Sequence, residues 1–93
     1  PPYLDAVHYL LQKNFFVDGL NDANQIYSSL KESSIWKKFD DRRSLEMVIM
    51  YLLEIINLYL SRTSEESLDE KSRQKIRIEI LEKAVTEYAN LSR

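Results

Sequence analysis

A chain of 93 residues, 44% of them apolar and 11% aromatic, is long enough to bury one modest core and too short for two, which excludes a disordered tail and a multidomain assembly. The 13 Lys and Arg against 15 Asp and Glu leave a net charge of −2, so the totals announce neither a nucleic-acid binder nor an acidic tail. The absence of cysteine and the single histidine exclude disulfides, thiol nucleophiles and zinc-thiolate sites, leave no basis for a metal or cofactor, and point to an intracellular setting, cytoplasmic or nuclear.

Both prolines lie at the extreme N-terminus and Gly19 is the lone glycine, so little in the chain breaks a helix or makes a hairpin. The first predicted helix covers residues 3 to 14, with Tyr3, Leu4, Val7, Leu10 and Leu11 on one face and Pro2 suited to its first turn. Phe15, Phe16 and Val17 extend it as a bulky apolar run, and Asp18-Gly19 marks a corner. Asn21 or Asp22 caps a second helix to Glu32, whose stripe of Leu20, Ala23, Ile26, Tyr27 and Leu30 is narrow. A short helical turn over residues 35 to 39 sets Trp36 and Phe39 three apart, on the same side, as a plug for the core.

Asp40 or Asp41 caps the third main helix, which reaches Arg62 and is about 33 Å long at 1.5 Å per residue. Leu45, Val48, Ile49, Leu52, Leu53, Ile55, Ile56, Tyr59 and Leu60 fill one arc of it, and Met47, Tyr51 and Leu58 widen that arc along one flank. Glu46, Met50, Glu54, Asn57 and Ser61 line the remaining seam, so cover is needed on several sides. Its apolar run is too short and too charged to span a bilayer, and no membrane insertion is expected. After a polar loop at Thr63 to Ser67, the pattern Ser67-Leu68-Asp69-Glu70 is a capping box that opens the last helix. Ile76, Ile80, Leu81, Ala84, Val85, Tyr88 and Leu91 make its core side, Ile78 lies at the edge, and the charged stretch from Asp69 to Lys75 projects beyond the bundle.

None of the chemistry-bearing residues converges on a catalytic pattern, and the chain is expected not to be an enzyme. His8 has Asp5 three residues before it but no second His or Cys, which suits a boundary histidine. The acidic pairs Asp40-Asp41, Glu65-Glu66 and Asp69-Glu70 each sit at a helix start or in a polar loop, where the positive end of a helix dipole accounts for them. Lys37, Lys38, Arg42 and Arg43 flank Trp36 and Phe39, the one place where cations and aromatics interleave in the manner of a nucleic-acid contact, although Asp40 and Asp41 cancel much of that field. Asn90-Leu91-Ser92 matches a glycosylation acceptor, and Ser64 and Ser67 stand before acidic residues as phosphorylation candidates; capping suffices to explain the two serines.

The chain opens Pro1-Pro2-Tyr3 with no leader pattern and reads as a single domain, residues 1 to 93, excised from a larger protein. The expected fold is a compact all-α bundle of four main helices plus a short helical turn, with the third helix central and the fourth antiparallel to it. The expected function is a non-catalytic protein–protein interaction module, an adaptor, scaffold or dimerisation domain, with Met47, Met50, Tyr51 and Leu58 as its partner-binding residues. The partner is another protein or a second copy of the chain. The competing readings are a nucleic-acid module using Lys37, Lys38, Arg42 and Arg43, or a regulatory lobe of an enzyme whose active site lies elsewhere.

Overall fold

The computed structural model describes residues 2–60 and 68–91, with the side chains of 2–4, 68 and 69 left aside. Its elements are α1 (Pro2–Gln12) running into a π-helical turn (Lys13–Val17), α2 (Ala23–Glu32), α3 (Ser34–Lys37), α4 (Asp41–Leu60) and α5 (Leu68–Leu91), with no strand among the described residues. The expected all-α bundle of four main helices and one short turn is the fold. The capping box at Ser67, the loop from Thr63, the end of the third helix at Arg62, and Ser64 and Ser92 lie outside the described residues.

Local sequence chemistry sets most boundaries. α1 continues past Gln12 by loosening into the π turn; the amide of Asp18 reaches back to the Lys13 carbonyl at 2.9 Å and that of Leu20 to the Asn14 carbonyl at 2.8 Å. Gly19 closes this end at φ +66°, a left-handed conformation that costs a glycine little. The Asp22 carboxylate caps α2 by accepting from the amides of Asn24 (2.7 Å) and Gln25 (3.4 Å). Ser33 ends α2 and starts α3 at once, donating its hydroxyl proton to the Leu30 carbonyl (2.6 Å) and accepting from the Trp36 amide (3.2 Å). Asp40 caps α4 through the Arg43 amide at 2.8 Å.

The four main helices close a ring in which α1 packs on α4, α4 on α5, α5 on α2 and α2 on α1. Leu11, Ile26, Leu30, Leu45, Leu52 and Ile80 are fully enclosed at its centre. Trp36 is buried as expected, edge-on to Tyr27, with its indole N–H donated to Asp41 at 3.0 Å; Phe39 is half-buried. α4 contributes more of the core than any other element and is covered by α1 on one side and α5 on the other.

Two contacts fix α5 antiparallel to α4: the Tyr88 hydroxyl donates to Glu46 (3.2 Å) near the start of α4, and the Gln74 amide donates to the Ile56 carbonyl (2.9 Å) near its end. The start of α5 therefore does not project. Arg77 is only 3% exposed, stacked 4.7 Å from the Tyr59 ring and 5.4 Å from the Phe15 ring, and ion-paired with Glu70 at 2.8 Å. Arg73 holds the other oxygen of Glu70 at 2.9 Å and lies 4.6 Å above Phe16. The charged pattern of this stretch, which by itself looks solvent-seeking, is neutralised by pairing within the helix and by aromatic faces supplied from the π turn and α4.

Burial alone raises the Glu70 carboxyl, but hydrogen bonds and charge from Arg77 and Arg73 outweigh it and hold the group below its ordinary value of 4.5. A depressed folded-state value stabilises the fold above 4.5 and loses that contribution as the pH falls through the folded value. Glu70→Gln, which leaves the buried Arg77 without its counter-charge, is expected to lower stability by about 2 kcal/mol at neutral pH. In urea denaturation the gap between wild type and variant should stay constant down to 4.5 and close below it; a gap that persists unchanged into strong acid contradicts this assignment.

Candidate functional site

The four residues singled out from the sequence part into two groups. Met47 is 8% exposed and Tyr51 6%, both turned toward α1, so neither side chain is part of the exposed surface. Met47 helps Val7, Leu30, Trp36 and Val48 enclose a void of only about 10 Å³, too tight for a ligand. The Tyr51 ring tilts against His8, whose Nδ1 shares a 2.6 Å hydrogen bond with the Tyr51 hydroxyl; the Gln12 amide donates to His8 Nε2 at 3.3 Å. Burial pushes the Tyr51 hydroxyl up to about 12 despite the opposing charge of Arg77, so it stays protonated through the neutral range. The narrow stripe of α1 thus covers more of α4 than its apolar residues suggest, because His8 and Gln12 supply polar cover that matches a tyrosine.

Met50 and Leu58 are open to solvent. Two further α4 residues assigned to the core, Leu53 and Leu60, are open as well, as are Val85 and Leu91 of α5, which the helical pattern also placed inside. At 100° per residue, Met50 marks the middle of the outer face of α4 and Leu53 leans from it toward α5, while Leu58 lies on the α1 side. On α5, Ile78 and Val85 are two turns apart on the side flanking α4. The antiparallel register set by Tyr88–Glu46 and Gln74–Ile56 brings Met50 and Leu53 level with the Ile78 to Val85 stretch. Both Met50 and Leu53 are 54% exposed.

Met50, Leu53, Ile78 and Val85 thus form an exposed apolar strip along the channel where the two longest helices lie side by side. No group of three His, Asp or Glu side chains among the described residues is placed to hold a metal ion. No described helix is long and apolar enough to cross a membrane.

The basic corner and the depression between α2 and α5 offer less. Arg42 and Arg43 both lie 3.7 Å from Glu46, and Arg42 also sits 5.6 Å from the Tyr88 ring, so the pair faces its own helix and neighbour. Lys37 and Lys38 are exposed beside Trp36, but that ring is buried and has no face to offer a base. An open depression of about 610 Å³ between α2 and α5 is lined by Asn24, Tyr27, Glu79, Lys83 and Glu87. Its central groups satisfy one another: the Tyr27 hydroxyl and the Lys31 ammonium both donate to Glu87 at 2.8 Å. Burial first, and then the Glu87 carboxylate, raise the Tyr27 hydroxyl far above its ordinary value.

Neighbouring leucines read out the two sides of α4. Leu52, 0% exposed, is expected to cost about 3 kcal/mol on truncation to alanine, whereas Leu53→Ala should change stability by no more than about 0.5 kcal/mol. Equal losses in chemical denaturation would mean that the channel is closed in solution.

Comparison of the chain with protein-family models, with curated proteins and with solved structures gives no match in any of the three, so the reading of this surface rests on its own chemistry.

Proposed function

We propose that this chain is a non-catalytic protein-interaction module and that its docking face is the channel between α4 and α5. The observation that carries this reading is the exposure of Met50, Leu53, Ile78 and Val85 on the two best-anchored helices of the bundle. Exposed apolar side chains on a frayed element are common. Here the helices are held by a buried guanidinium network and a fully enclosed core, so the strip is presented rigidly.

Rigid presentation matters for affinity, because a preorganised face loses little conformational entropy when a partner settles on it. Met50 adds adaptability at the centre, its unbranched thioether re-packing against differently shaped side chains. The face works by binding alone, and neither the His8–Tyr51 pair nor the Glu87 cluster has a part in it. Met50 and Leu58 survive from the residues expected at the sequence level, with Leu58 at the margin. Leu53, Ile78 and Val85 replace Met47 and Tyr51.

In-cell photo-crosslinking checks this directly. A benzophenone side chain placed at Met50 should give discrete protein adducts that disappear when Ile78 is changed to Lys, while the same probe at Ser28 on α2 should give none. Adducts of equal number from both positions, or adducts indifferent to Ile78→Lys, would count against the channel as the docking face.

A further inference from the structure

We draw no further inference here: the strongest candidate, the exposed apolar strip where α4 and α5 lie side by side, has both exposed lysines, Lys71 and Lys75, and exposed glutamates, Glu54 and Glu82, along its two helices, so nothing in the structure shows what covers it.

Discussion

The arrangement depends on one buried cation. Arg77 lies between the rings of Phe15 and Tyr59 with its charge answered by Glu70, while Gln74 one turn earlier donates to the Ile56 carbonyl. These contacts join the π turn, the end of α4 and the start of α5. A guanidinium is suited to the place, since its flat face stacks on aromatic rings while its edge pairs with a carboxylate. Once α5 is locked at this end and at Tyr88, its register against α4 is set, and with it the residues that face outward.

From that register the outer face follows. α4 is apolar over more of its circumference than two neighbours can cover, and α1 and α5 cover the flanks, not the outside. Met50 and Leu53 are left over on α4, and α5, whose inner side is occupied by Gln74, Arg77, Ile80 and Ala84, turns Ile78 and Val85 outward beside them. Placing an arginine and a glutamine inside and an isoleucine and a valine outside inverts the usual partition of residues. That exchange of positions gives the channel its apolar walls.

Much of the fold is legible in the sequence. The corner at Gly19, the caps at Asp22 and Asp40, and the span of α2 follow from side chains that bond their own backbone, and such local chemistry is the most readable kind. The rest depends on tertiary partners. Arg73 and Arg77 look solvated until Phe15, Phe16 and Tyr59 are brought against them, and Tyr51 looks like an exposed apolar flank until His8 supplies its hydrogen bond. Of the proposed docking face, Met50 is visible from its place on the polar seam of α4. Leu53 and Val85 are not, because helical periodicity locates an apolar arc without saying where neighbouring helices stop covering it.

The chain contains two methionines, one on each side of the division, and their methyl groups make the most direct measurement. With 13C-methyl methionine in a dilute sample, a soluble paramagnetic agent should strongly broaden the Met50 signal and leave that of Met47 nearly untouched. If Met50 is as well protected as Met47 at high dilution, the chain covers its own outer face, and the description of an open channel between α4 and α5 is wrong.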